Sequence, residues 1–175
     1  MDYSLPRIYF ARAIDGESEE TRTTLASIVA AELAARNLRL VDPVATEPDV
    51  RDSQDTETIQ KYRHIVDHDL SILRTCDAVL MDMSIPNRNY IGCVCELTYA
   101  YLWDIPCIVY IGQANSNRPW LHYHATAIFK SREAAVAHLA RLLQSCLGVS
   151  RSGASASHEL LDSHESHGKD KRKEE

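Results

Sequence analysis

Apolar and polar positions along the chain switch between a strand period and a helix period. Arg7–Ala11 is a short run of strand type. Leu25, Ile28, Val29 and Leu33 recur at i, i+3, i+4 and i+8, one face of a helix. Ser18 stands ahead of them as an N-cap, with Glu19 and Glu20 favourable in the first turn. Leu38–Val41 reads as a second strand, stopped by Asp42-Pro43, and the Asp-, Pro- and Thr-rich stretch from Thr46 through Asp55 as a loop. Ile59, Tyr62, Val66, Leu70 and Leu73 form a second helical stripe, and Ala78–Met83 an apolar strand broken only by Asp82. Ile91–Trp103 is helical in composition, Pro106–Ile111 reads as a fourth strand and Thr126–Phe129 as a fifth. Ser131 caps a final helix with Val136, Leu139, Leu143 and Cys146 inward and Gly148 as its stop.

Strands apolar on both faces, alternating with helices, predict a parallel sheet covered on both sides. The expected fold class is α/β: a flavodoxin-like, doubly wound sheet of five parallel strands in the order 2-1-3-4-5. The expected folded domain is residues 1–150. The segment Arg151–Glu175 carries only Ala154, Ala156, Leu160 and Leu161 as apolar residues, against five basic and six acidic side chains. It buries too little surface to offset its ordering entropy and is expected to be a disordered polar tail.

Composition narrows the partners. The 175 residues hold 19 Lys and Arg against 25 Asp and Glu, a net charge of −6 with no basic block. Phosphate neutralisation needs clustered cations, so a nucleic-acid polymer is not expected as partner. The apolar runs Ala78–Met81 and Ile105–Ile111 fall far short of the ~20 residues that cross a bilayer. Met1–Ser4 lacks the basic and apolar regions of a signal peptide. No membrane association is expected, and the expected compartment is the cytoplasm. Cys76, Cys93, Cys95, Cys107 and Cys146 form no paired framework, and residues i and i+2 of a helix do not share a face, so these read as reduced, structural thiols. His64 and His68 stand at i and i+4 but lack the Glu of a zinc motif and a third ligand. No GxxxxGK[ST], GxGxxG or GxSxG occurs. Neither a metal nor a cofactor is expected.

In a sheet of this order ligands bind at the carboxyl ends of the strands, where the order reverses between the first and third. The loop after the first strand offers Arg12, Ile14 and Gly16, and that after the third Arg88, Asn89 and Tyr90. The third strand's loop leads into Gly92 and Glu96. Gly92 lacks a Cβ, so a ligand can approach the backbone. Glu96 is expected in the early turns of that helix; pattern alone leaves open a functional anion or an acid serving only the helix dipole. Asp69 shares a helix face with Val66 and Leu73 and is expected to be partly buried, whereas Asp67 is expected to point outward. Burial favours the protonated carboxyl and so suits a proton donor; a solvated boundary residue or a cap partner is the other reading.

Three segments together resemble the nucleoside 2-deoxyribosyltransferase family. Arg7-Ile8-Tyr9-Phe10-Ala11 is similar to the family's opening strand with its Tyr. Asp69 through Leu80 resembles its D-x-x-x-[IL]-x-x-C/A-D-x-V helix-strand unit, and Gly92 through Ala100 its G-x-x-x-E-x-G-x-A helix. The resemblance covers Arg7 to about Ile111. It implies an enzyme that cleaves nucleoside N-glycosidic bonds, active as a homodimer or higher homo-oligomer on a nucleoside or nucleotide. Glu96 would attack C1′ and carry the glycosyl group, Asp69 would protonate or hold the departing base, and Tyr9 would orient Glu96. An oxocarbenium-like centre needs an anion and its leaving group a proton, which two carboxylates supply in retaining glycosidases. Transfer to a second base or to water completes the reaction.

Two departures stand out. Thr98 replaces a common Gly, and Tyr90 stands where the transferases can carry an Asp and the nucleotide-hydrolysing branch a small hydroxyl residue. An Asn or Ser from a neighbouring subunit commonly reaches the 5′ end in this family; the loop Gln113–Tyr123 offers Asn115, Ser116, Asn117 and His122 for such contacts. Ala13, Asp15 and Tyr90 disfavour a 5′-phosphate, whereas Arg12 and Arg88 lie near enough to turn toward one. An unphosphorylated nucleoside is the expected substrate. The alternatives are a nucleoside 5′-monophosphate N-glycosidase and a non-catalytic nucleotide sensor on the same fold.

Overall fold

A computed structural model of the chain describes residues 5–46, 56–113 and 115–156. It divides into two compact units, Met1–Arg141 and Leu142–Glu175. The first holds the whole sheet. In chain order its elements are β1 (Arg7–Arg12), α1 (Glu19–Ala34), β2 (Arg39–Val41), a 3₁₀ turn (Pro43–Thr46), α2 (Thr56–Leu73), β3 (Ala78–Asp82), α3 (Ile91–Leu102), β4 (Cys107–Tyr110), α4 (Pro119–His124) and β5 (Ala127–Phe129); α5 (Arg132–Ala156) begins in this unit. The five strands are all parallel in the order β2-β1-β3-β4-β5. This is the flavodoxin-like arrangement that the alternating pattern predicts. The register sets Tyr9 beside Val79 and Arg12 beside Asp82, so β1 and β3 end together at the switch point.

Period 2 sorts the strand residues between two layers. Tyr9, Val79, Met81 and Val109 pack in one cluster with Leu73 of α2 and Cys93, Leu97 and Ala100 of α3. Ile8, Phe10, Leu80 and Ile108 point to the other face and are fully buried. On that side Val29 and Leu33 of α1 and Val136 and Leu139 of α5 are fully buried too. A two-pronged ion pair from Arg132 to Glu32, at 2.8–3.2 Å, ties α5 to α1. Ser18 caps α1 by accepting from the Thr21 N–H at 3.1 Å, and Ser131 caps α5 by accepting from Ala134 N–H at 3.3 Å.

Four details differ from the pattern. The helix α4 lies inside a stretch that reads as loop; Pro119 at its first position supplies a φ already suited to a helix. Gly148 does not stop the last helix: α5 continues to Ala156. A mid-helix Gly costs only ~1 kcal/mol, and no Pro follows to break the backbone. Residues 157–175, the remainder of the expected tail, lie outside the described residues. Ile59, Tyr62 and Val66 of the α2 stripe, and Ile28 of α1, are exposed, so only the C-terminal half of α2 enters the core. Cys76, Cys93 and Cys107 are buried free thiols, but Cys95 is exposed. Among the described residues no helix is long and apolar enough to cross a membrane.

Leu80 sits in the sheet's middle strand with no exposed surface. Leu80→Ala is expected to cost about 2–5 kcal/mol, the range for a buried Leu that leaves a cavity. Urea denaturation measures it; a midpoint unchanged from the parent chain would contradict the packing described.

Candidate active site

Where β1 and β3 end, a cleft of about 1000 Å³ opens between α1, α2 and the start of α3. Asp69 from α2 and Glu96 from α3, 27 positions apart in sequence, both line it, as do Glu19 of α1 and Asp42 after β2. Glu96 is half-buried and stands in the second turn of α3, which has no acid in its first turn. The dipole reading of Glu96 therefore loses its basis, because that effect fades within the first turn. A different contact holds the side chain. The phenol of Tyr9, fully buried on β1, donates to Glu96 Oε1 at 2.5 Å. This is a charge-assisted bond from the sheet to the helix. Glu96 also bears on its neighbours: burial first, and its negative charge second, push the thiols of Cys93 and Cys107 well up from their ordinary value.

Asp69 is half-buried, as its helix face predicts, and Asp67 is exposed. Tyr62, Ile65 and Val66 precede Asp69 on the same helix and line the same cleft. Tyr62 and Val66 of the exposed half of the stripe thus form, with Ile65, the cleft's apolar wall. Its i, i+3, i+4, i+7 spacing is visible in the sequence, but the same spacing equally signals a core face. Gly92 approaches the cleft from the N-terminus of α3, with nothing within 4 Å of where a Cβ would stand.

Arg12 and Arg88 are each held by an acid. Arg12 lines the cleft with its side chain only 4% exposed and pairs with Asp42, itself 12% exposed. Two parallel bonds join them, Nη1 to Oδ1 at 2.7 Å and Nη2 to Oδ2 at 2.9 Å. The guanidinium also lies 4.8 Å from the centre of the Phe10 ring. Asp42 accepts a further bond from the Val44 N–H at 3.2 Å, which fixes the turn after β2. Arg88 crosses to the loop after β1, where it bonds the Asp15 carbonyl and the Glu17 carboxylate. Gly16 makes that clamp possible: its φ is +73°, and an added Cβ would lie 2.9 Å from Arg88 Nη1.

Of the ligand contacts expected from sequence, Arg12, Ile14 and Gly92 line the cleft; Gly16, Arg88, Asn89, Tyr90, Asn117 and His122 do not. Tyr90 folds back on its own loop, its hydroxyl accepting from Ile85 N–H at 3.0 Å and facing the Ile85 carbonyl at 3.1 Å. Burial pushes its phenol up to about 12. Asn89 accepts from the Ile91 N–H at 3.1 Å and so organises the start of α3. His122 contacts the Ser116 carbonyl at 2.7 Å from α4, a helix rather than the expected loop, and Asn117 is exposed. Asn115 has a fixed role: it is buried and donates to the Met83 carbonyl at 2.6 Å, pinning the loop after β4 to the end of β3. Asp42, Phe10 and Arg22 are cleft residues that the sequence reading missed. Only the Asp-Pro turn after β2 could have pointed to the first. Among the described residues, no group of three or more His, Cys, Asp or Glu is placed to hold a metal.

No protein-family model and no curated protein matches the sequence. The solved structures do. A 2-desoxiribosyltransferase from Leishmania mexicana superimposes with a TM-score of 0.54 over 78% of this chain and 97% of its own, at 16% identity. The chain shares the fold of 2-deoxyribosyltransferases. A 2-deoxyribosyltransferase from Bacillus psychrosaccharolyticus gives 0.53 over 71% of this chain and 86% of its own, at 17% identity. A conserved protein from Enterococcus faecalis V583 gives 0.51 over 75% and 95%, at 12% identity.

The Arg12–Asp42 pair sets the cleft's shape, and breaking one half leaves a buried charge without its partner. Arg12→Met is expected to cost about 3–5 kcal/mol. Adding Asp42→Asn should recover part of that loss. Denaturation of the two variants checks both; an Arg12→Met protein as stable as the parent would contradict the pairing.

Proposed function

We propose that this chain is an enzyme that cleaves the N-glycosidic bond of a nucleoside through a glycosyl group carried on Glu96. The observation that carries the reading is one cleft lined by both Asp69 and Glu96, with Glu96 gripped by the buried Tyr9. A Glu96 oxygen attacks C1′ and the C1′–N electrons pass to the base. Asp69 supplies the proton that lets the base leave neutral. Water, or the nitrogen of a second base, then attacks C1′, gives its proton to Asp69 and returns Glu96 to the carboxylate. Tyr9 holds the Glu96 carboxylate in the geometry for attack, the positioning that makes an intramolecular nucleophile effective. The apolar wall of Tyr62, Ile65 and Val66 beside Asp69 suits a flat base.

The substrate we infer is the unphosphorylated nucleoside. A 5′-phosphate needs cations or several donors. Arg12 is neutralised by Asp42, and Arg88 is held on the first loop by Glu17. Arg22 also lines the cleft and is the feature that favours the competing reading, a 5′-monophosphate N-glycosidase. A silent nucleotide sensor would have no use for the Tyr9–Glu96 contact. The working species we infer is a cytoplasmic homodimer or higher homo-oligomer.

Chromatography of free base, released from a panel of nucleosides by the pure protein, tests the proposal. Glu96→Ala should reduce release to background with the fold intact; near-normal turnover would overturn the role of Glu96. Asp69→Asn should slow natural nucleosides far more than substrates with activated leaving groups. Equal slowing of both would mean a structural role. Tyr9→Phe removes one bond to a charged group, worth about 1.5–3 kcal/mol. The expected loss in kcat/KM is thus roughly 10- to 100-fold. For matched pairs, kcat/KM should be higher for the nucleoside than for its 5′-monophosphate; a preference of about tenfold or more for the monophosphate would reverse the assignment and implicate Arg22.

A further inference from the structure

Two arginines line the cleft, and only one of them is held by an acid. Arg12 commits both Nη atoms to Asp42. Arg22 of α1 also lines the cleft and is half-buried. Its Nε is buried with no hydrogen-bond partner, and among the described residues Arg22 takes part in no ion pair. A buried donor left unmade is costly, more so on a charged group. The helix gains nothing from a cation here either. Arg22 stands fourth in α1, behind Ser18, Glu19 and Glu20, at the end where the dipole favours anions. An acceptor on a ligand would satisfy what the fold leaves open.

We infer that Arg22 is a specificity-determining residue that reads the base, and that the base it fits is a 6-oxopurine. The inference rests on the nucleoside reading of the cleft proposed above. Glu96 comes from α3, on the sheet face that carries Tyr9, whereas α1 covers the other face and packs against β2. β2 lies on the far side of β1 from β3, and Asp42, Val44 and Ala45 after it line the cleft with Arg22. A nucleoside with C1′ at Glu96 and its base along Tyr62, Ile65 and Val66 thus turns the far edge of the base to Arg22, not the 5′ end of the sugar.

The chemistry of that edge selects the base. A guanidinium offers two parallel N–H groups and no acceptor, so it matches two neighbouring acceptors. In a 6-oxopurine, O6 and N7 are such a pair, on the edge away from the sugar. Adenine sets an amino donor beside N7, so one N–H of Arg22 would face another donor. The edge of cytosine or uracil away from the glycosidic nitrogen pairs one donor with one acceptor and offers no match either. Glu19, one turn before Arg22 on the same helix, lines the cleft too. Its carboxylate only accepts, which suits the N1–H beside O6.

Calorimetric titration of the full chain with free hypoxanthine and free adenine tests this apart from bond cleavage. The parent protein should bind hypoxanthine roughly 10- to 100-fold more tightly than adenine, the discrimination of a bidentate Arg contact. On the same protein 7-deazahypoxanthine, which lacks the N7 acceptor, should fall toward the adenine value. Arg22→Met should remove the preference. Arg22→Lys, which keeps the charge but not the fork, should not restore it. Equal binding of the two bases by the parent, binding of neither, or an Arg22→Met protein that keeps the preference would overturn the inference. So would a loss in kcat/KM on Arg22→Met that is larger for inosine 5′-monophosphate than for inosine, which would assign Arg22 to the phosphate. The nucleoside reading fails separately. A hypoxanthine preference that depends on Arg22, with no base released from any nucleoside, would overturn the bond cleavage and leave the base contact standing.

Discussion

A buried phenol on the sheet's first strand holding a carboxylate on the third helix is the contact on which the site depends. Tyr9 has no exposed surface, and its ring packs in the core with Leu73, Val79 and Leu97. Its hydroxyl donates to Glu96 Oε1 at 2.5 Å. Because the ring is locked by packing, the hydroxyl cannot follow a wandering carboxylate. Glu96 is therefore positioned by the core itself, through the register of β1 against β3 and the seating of α3 on both. Fold and site are one arrangement: the strand order that sets Tyr9's strand beside the middle strand also opens the cleft where the order reverses.

The cleft's other wall is built by pairing charges rather than by presenting them. Arg12 and Asp42 stand at the ends of neighbouring strands and satisfy each other with two parallel bonds. Arg88 performs a similar closure between the loops after β3 and β1. Both arginines carry full charge in the sequence, yet in the fold each is matched by an acid. Beside the Arg12–Asp42 pair the cleft presents an apolar helix face and the carboxylates of Asp69 and Glu96, with Glu19 and Arg22 on its α1 side.

How much of this was legible depended on the range of the interaction. Strand and helix order was, because buried parallel strands and capped helices write local patterns; Ser18 and Ser131 mark the caps they were expected to mark. Glu96 and Asp69 were legible as cleft candidates because the switch point follows from topology. The partners of Arg12 and Arg88 were not, since they lie 30 and 71 positions away and no local rule selects them. Tyr62 and Val66 show the limit of periodicity: a helical stripe tells which residues share a face, not whether core or cleft receives it. Pro119–His124 has too few residues to show a period at all.

The account's central claim is covalent: Glu96 takes up the sugar. Mixing the protein with nucleoside, quenching in acid within the first turnover and weighing the intact chain tests that claim most directly. The account predicts a mass increment of one pentosyl group, located by fragmentation to the peptide containing Glu96 and absent from Glu96→Ala. Base release with no adduct at any quench time, or an adduct carried by another residue, would contradict it.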